Sequence, residues 1–354
     1  MNVYDLIEKS KKFDADKRDD ICIRRDMAFS NSMELYTPCM GGMVMTDHSL
    51  AQIGAKLGPT MYGKGSTRSI NMEHLRHLPK ELAALELNYF LWKDQGGNRM
   101  MVRAYQKTCR AVVDGRYPDV KNTEVLETLQ TLLEDPGQEY GVIEEVKNRG
   151  TRSVVTPDGI FVRMFHTNLN REEHGGALYA GWHIQNDETG GGAVEIGGAI
   201  MNTECDNSLR LPNLVRITHQ YRVNGLNGLT STEWLKNQIA VALINALKTT
   251  PPYVEAYFEA QTKALPNLGK LITAIAKENH WGEVFKSNVG IGTNGDETLA
   301  GLLNGITYAA QRVKDPAETA RLELFAGSLL VDNSGLFARA SKLANADLEE
   351  VRIR

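Results

Sequence analysis

The chain has 354 residues, 42% hydrophobic and 24% charged, with a formal charge of −4. This is globular composition with room for one large domain or two smaller ones, and it excludes a polybasic, histone-like binder while leaving a local basic face open. The four cysteines (Cys22, Cys39, Cys109, Cys205) form no CxxC pair and the eight histidines show no HExxH or finger spacing, so free thiols and no cofactor or metal are expected.

The N-terminal MNVYDLIEKSKKFDADKRDD is too charged for a secretory signal. The longest apolar run, Ile239 to Leu247, is too short to span a bilayer. A cytoplasmic protein with no membrane partner is therefore expected. Residues 1–45, a short amphipathic piece (Val3, Leu6, Ile7) and a charge-rich stretch, read as an N-terminal arm before a core at 46–250. Asp47 caps a helix, HSLAQIGAKLG, that stops at Gly58. Gly58, Gly63 and Lys64 match part of a phosphate-binding loop, but Gly65 stands where the magnesium-binding Ser or Thr belongs and a helix precedes it, so the segment reads as a loop. In the helix over 71–94, Leu82, Leu85, Tyr89 and Trp92 recur at helical spacing and are expected in the core.

From Asn98 the period changes to two, with Arg99, Met101, Arg103, Tyr105 and Lys107 on one side and Met100, Val102 and Ala104 on the other. A turn at 114–118 leads to a helix capped by Asn122, and strand-like runs occupy 140–168. Residues 176–207 predict a long hairpin around a glycine-rich turn at 187–192. Leu178, Ala180, Trp182 and Ile184 face its core, while Tyr179, His183 and Gln185 face outward, with the turn as a mobile lip. A further strand puts Arg216, Gln220 and Arg222 on a polar side. Thr230 and Glu233 form a capping box for a helix running to Lys248, apolar nearly all round and therefore buried on the sheet. Pro251-Pro252 begin a helical C-terminal region, 251–354, in which Gly290-Ile291-Gly292-Thr293-Asn294-Gly295 matches GxGxxG without the strand and helix that a dinucleotide site needs.

The expected class is α+β, an antiparallel, hairpin-rich sheet with a β-β-β-α-like core and packed helices. If the basic strand faces share one sheet, they line a groove for single-stranded DNA. Arg99, Arg103, Lys107, Arg216 and Arg222 would hold phosphates, and Tyr105, Tyr179 and His183 would contact bases. Two other readings stay open. Asp119 with Glu145 and Lys147 fits the loose spacing of a magnesium-dependent nuclease. The helical C-terminal third could instead drive assembly of a structural homo-oligomer.

RAVVDGRYPDVKNTEVLETL (110–129) and GWHIQNDETGGGAVEIGGAIMNTECDNSL (181–209), with His219 downstream, resemble the phage and plasmid-like proteins catalogued as domain of unknown function 932. The resemblance covers roughly 45–250. It departs at Asn186-Asp187-Glu188-Thr189 and at Cys205-Asp206-Asn207-Ser208. It implies phage or plasmid DNA metabolism in a bacterial host. The β-β-β-α order is also similar to single-strand annealing proteins of the Rad-fifty-two and Red-beta kind, which implies strand annealing or recombination.

Overall fold

The computed structural model describes residues 3–57, 72–93, 99–117, 120–134, 143–144, 153–166, 171–173, 176–190, 193–202, 207–212, 214–217 and 231–331, with positions 335, 337, 338 and 342 beyond them. The fold is α+β, with two largely antiparallel sheets and a helical C-terminal region. The first part runs α1 (Val3–Asp16), β1 (Lys17–Ile23), β2 (Ala28–Phe29), β3 (Glu34–Tyr36), β4 (Met43–Met45), α2 (Asp47–Leu57), α3 (Met72–His77), α4 (Lys80–Lys93), β5 (Arg99–Tyr105) and β6 (Thr108–Asp114). Its strands form one sheet in the order β1-β5-β6-β4-β3-β2, in which only β4 and β6 pair in parallel. Alternation puts Met100, Val102, Ala104 and Val112 on one face, and they pack with Ile53 and Leu57 of α2 and Leu87 and Leu91 of α4.

The stretch expected as an arm is built into the fold, α1 into the core of the second sheet and β1 into the first sheet. Leu6 and Ile7 are buried, and β1 pairs with β5 from Lys17↔Tyr105 to Ile23↔Arg99. Its charge hid the strand. In KRDDICI the buried parity is shared by Asp20 and Cys22, and Asp20 is inside because it accepts from Thr37 Oγ1 at 2.6 Å and from the Cys39 amide at 3.0 Å. A second correction concerns α4. Leu82, Leu85, Tyr89 and Trp92, expected in the core, are 51%, 65%, 54% and 56% exposed. The helix carries two apolar stripes, and the one that turns inward is Ala83, Ala84, Leu87 and Leu91.

The second part runs α5 (Asn122–Leu133), β7 (Ile143–Glu144), β8 (Val154–Val155), β9 (Gly159–His166), β10 (Arg171–Glu173), β11 (Gly176–Asp187), β12 (Val194–Asn202), β13 (Asn207–Arg210), β14 (Val215–Ile217) and α6 (Ser231–Thr249). The second sheet has the order β13-β12-β11-β9-β7, with β10 on β11, β8 on β9 and β14 on β12. The hairpin is present, paired from Leu178↔Asn202 to Gln185↔Glu195. The long strands β9, β11 and β12, followed by α6, make the β-β-β-α core. Val162, Trp182, Ile184 and Ile196 pack against α1, α5 and α6 through Leu6, Leu126, Leu129, Ile239 and Leu243. Trp182 is 1% exposed, and its indole N–H donates to the Leu243 carbonyl at 3.0 Å, so its one polar atom is satisfied inside the core.

The C-terminal helices are α7 (Pro251–Ala260), α8 (Leu268–Glu278), α9 (Glu283–Gly292), α10 (Leu299–Ala310) and α11 (Pro316–Val331). Leu271, Leu302, Leu303, Ile306 and Leu330 share a core with Leu178, Leu209 and Leu211 of the second sheet. Helix α11 lies tight on β13, where a Cβ on Gly327 would stand 1.9 Å from the Arg210 carbonyl oxygen. The glycine string at 290–295 closes α9. Gly292 leaves room for Tyr308, and Asn294 and Gly295 adopt φ of 49° and 77°, as a helix terminus requires. Among the described residues no helix is long and apolar enough to cross a membrane.

Candidate functional site

The basic strand faces expected to form one groove belong to two different sheets. Arg99, at the start of β5, and Lys107, in the turn after it, are exposed. Between them Arg103 is 1% exposed; its Nη1 donates to the Glu188 carbonyl at 2.8 Å and its Nη2 lies 3.5 Å from Asp19. Tyr105 is half-buried, edge-on to Phe13 at 5.7 Å. In the second sheet His183 is 1% exposed. Its Nδ1–H donates to the Gly198 carbonyl at 3.0 Å, and its ring fills the place of a side chain at Gly197, whose added Cβ would be 2.7 Å from it. Burial pushes the His183 pKa well below 6.5, and the nearby Arg210 and Arg163 act in the same direction. Tyr179 is half-buried beside Ala199 and Met201, and Arg216 is exposed but paired with Glu195 at 2.8 Å. Arg222, Asp119, Glu145 and Lys147 lie outside the described residues. Arg103 and His183 are therefore structural, and these residues do not line one open groove. Parity separates the two faces of a strand; it does not say that one of them stays uncovered.

The face that carries His183 is covered. Arg163, directly opposite His183 on β9, and Arg210 on β13 converge on Glu323 of α11 at 2.6 and 3.3 Å. All three side chains are buried. Gln185 accepts from Arg210 Nη1 at 3.2 Å. Burial lowers the Arg210 pKa to about 10, with Glu323 opposing the shift, so the guanidinium remains charged at neutral pH. The arginines were visible in the alternation of GIFVRMFH and NSLR. Glu323, on a distant helix, had no sequence signal.

The hairpin turn is the second surprise. Expected as a mobile lip, it plugs into the first sheet. Glu188 and Thr189 are 2% and 6% exposed. The Thr189 carbonyl accepts from Gln52 Nε2 at 2.7 Å, and Gly190, at φ 81°, comes so close to Val113 that a Cβ would stand 2.6 Å from its Cγ1. Asn186 ties the same turn to α5 by donating to the Val120 carbonyl and to Asn122 Oδ1 at 3.1 and 2.8 Å. Glu188 accepts from Lys17 Nζ and from the Asn122 backbone N–H, both at 2.6 Å, so a carboxylate sits on the N-terminus of α5 where the helix dipole favours it. Arg110 Nη1 approaches the same carboxylate at 3.6 Å and also donates to the Pro157 carbonyl. Burial pushes the Glu188 carboxyl above its ordinary value, against the pull of Lys17, Asn122 and Arg110.

Beside Glu188 lies a cavity of about 250 Å³ lined by Asp14, Lys17, Arg18, Asp19, Arg103, Arg110, Lys121 and Glu188. Five cationic side chains and three carboxylates line it. Asp14 is committed to Lys17 at 2.6 Å and Asp19 to Arg103 at 3.5 Å. The buried Nε of Arg110 finds no hydrogen-bond acceptor among the described residues. Arg18 and Lys121 are exposed at the rim. The chemistry this set offers is anion binding by a planar fork and flexible ammoniums in a partly desolvated place. Among the described residues no three His, Cys, Asp or Glu side chains come together to hold a metal ion.

Comparison with protein-family models, curated proteins and solved structures gives no match to this chain. Two segments distant in sequence meet at the cavity. Residues 110–129 supply Arg110, Lys121 and the Asn122 N–H, and residues 181–209 supply Glu188.

Proposed function

We propose that the protein binds single-stranded DNA and that a phosphate of the strand enters the cavity beside Glu188, in place of the open strand faces that the alternation suggested. The observation that carries this reading is the gathering of five cationic side chains around one cavity, two of them, Arg18 and Lys121, exposed at its rim. A guanidinium fork and flexible ammoniums in a partly desolvated place suit a phosphate oxygen. The resemblance of 110–129 and 181–209 to phage and plasmid-like proteins extends the reading to strand annealing or recombination of mobile-element DNA in the host cytoplasm.

Fluorescence anisotropy with a labelled oligothymidylate tests it. Affinity falls steeply between roughly 50 and 200 mM salt, because each neutralised phosphate releases counterions. Replacing the two exposed rim cations, Arg18→Glu with Lys121→Gln, weakens low-salt binding about tenfold or more and flattens the salt slope by about one to two. No binding at low salt, or a double variant that binds like the parent, overturns the proposal.

A further inference from the structure

The exposed stripe of α4 lies on the far side of that helix from the core of the first sheet, and it goes beyond the DNA-binding reading. We propose that α4 is a self-association face, on which a second copy of this chain docks its own α4 antiparallel across a two-fold axis. Leu82, Leu85, Tyr89 and Trp92 follow one another at the alternating three- and four-residue spacing of a two-helix seam, and each is more than half exposed. Isolated exposed apolar side chains need no explanation, but four in one line make a patch of the kind that marks an interface.

The patch itself selects the occupant and its direction. In an antiparallel pair Leu82 meets Trp92 of the second copy and Leu85 meets its Tyr89, so every layer sets a leucine against an aromatic ring. In a parallel pair Trp92 meets Trp92 and Tyr89 meets Tyr89, which doubles the large rings in one half of the seam. Charge agrees. The residues flanking the stripe are Glu81 and Asn88 on one side and Glu86 and Lys93 on the other. Antiparallel packing pairs each side with itself, which places Glu86 near Lys93 of the second copy twice over and Glu81 near a neutral Asn88. Parallel packing pairs opposite sides and sets Glu81 against Glu86, a like-charge contact repeated by the symmetry. A lipid surface fits poorly, because the flanks are not cationic as a membrane-surface helix requires.

The aromatic anchors are held in place before docking. The Trp92 indole N–H donates to the Met27 carbonyl at 3.2 Å, and Lys93 Nζ lies 5.1 Å from the centre of the Tyr89 ring. Pre-oriented Trp and Tyr side chains lower the entropy cost of association and are frequent interface anchors. The stripe offers on the order of 400 Å² per copy, about half of what a stable interface buries on each partner, so the dimer is expected in the micromolar range.

Sedimentation velocity of the full chain from about 5 to about 200 µM is the first test, and a monomer–dimer equilibrium is expected there. Leu85→Glu, at an exposed position that leaves the fold intact by circular dichroism, removes the dimer across that range. Cross-linking supplies the direction. In a Cys39→Ser, Cys205→Ser background, oxidation joins a Leu85→Cys chain to a Tyr89→Cys chain in mixture, and neither variant alone forms the product as fast. A chain that stays monomeric throughout, or a dimer that Leu85→Glu leaves intact, overturns the proposal. Preferential self-coupling of Leu85→Cys overturns the antiparallel arrangement.

Discussion

Glu188 and Glu323 are each 2% exposed, and each receives cations from strands of a neighbouring sheet, yet their surroundings differ in what they lack. Around Glu323 two guanidiniums share one carboxylate beneath α11, and Arg210 Nη2 finds no acceptor among the described residues. This cluster is sealed in. Glu188 is fully engaged by Lys17, the Asn122 amide and Arg110, but the cations next to it border a cavity with rim residues in solvent. Solvent reaches that side of the cluster. An acid among cations is thus closed over by a helix at α11 and borders a cavity with an exposed rim at the hairpin turn.

Removing each carboxylate is the strongest way to break this contrast. Glu323→Ala takes the shared carboxylate away from two buried guanidiniums in a closed space, and a loss of about 3–5 kcal/mol is expected, read as a lower urea midpoint with an unchanged slope. Replacing the whole set together, Arg163→Met, Arg210→Met and Glu323→Leu, should recover most of that loss, since apolar groups of similar volume often match a buried ion set. A Glu323→Ala loss below about 1 kcal/mol would falsify the sealed cluster, because water would then have to reach the arginines.

Glu188→Ala should cost less, about 2–3 kcal/mol, because water and salt enter the adjoining cavity and reach the Lys17 side of the vacated position. It should also respond to added anion in a way that the other site does not. Phosphate that fills the vacated position binds the folded state alone and raises its stability by mass action. The measurement is the urea midpoint of both variants with and without phosphate at constant ionic strength. Recovery is expected for Glu188→Ala and none for Glu323→Ala, and equal responses would erase the distinction between an open and a sealed site.

The contrast also shows what a sequence of this kind reveals. The alternation in 176–207 was sufficient for the hairpin, its core face and the burial of Trp182, because one polar residue out of place would have exposed the whole apolar set. The same alternation placed Arg103 and His183 on the correct sides of their strands, and then misassigned them to solvent. A polar strand face reads identically whether it meets water or a buried ion cluster, since the partner, Glu188 or Glu323, sits 85 residues from Arg103 and 160 from Arg163. β1 failed for the related reason that Asp20 is inside, held by Thr37 and the Cys39 amide. In α4 both stripes were apolar, and helical spacing alone could not say that the alanine-rich one faces in. Local periodicity was legible throughout; pairing between distant charges was not, and the candidate site depends on that pairing.

The smallest expected effect probes the sealed side through His183. In the fold, burial together with Arg210 and Arg163 holds its pKa well below 6.5, whereas the unfolded chain takes up the proton near 6.5. Below 6.5 the unfolded state therefore binds more protons than the folded one, so stability falls as pH falls, by up to about 1.4 kcal/mol per pH unit, and above 6.5 this group contributes no pH dependence. His183→Gln should flatten the slope between pH about 6.5 and about 5.5 by about half a proton rising towards one, whatever it does to absolute stability, with urea midpoints across that range as the readout. Glu188 acts with the opposite sign. Its raised pKa makes the folded state the better proton acceptor just above 4.5, so its protonation offsets acid loss in that lower window. Identical slopes for the parent and His183→Gln would mean that the sealed side accepts a proton as readily as open chain does, and a face that admits a proton so easily could not be the closed counterpart of the cavity.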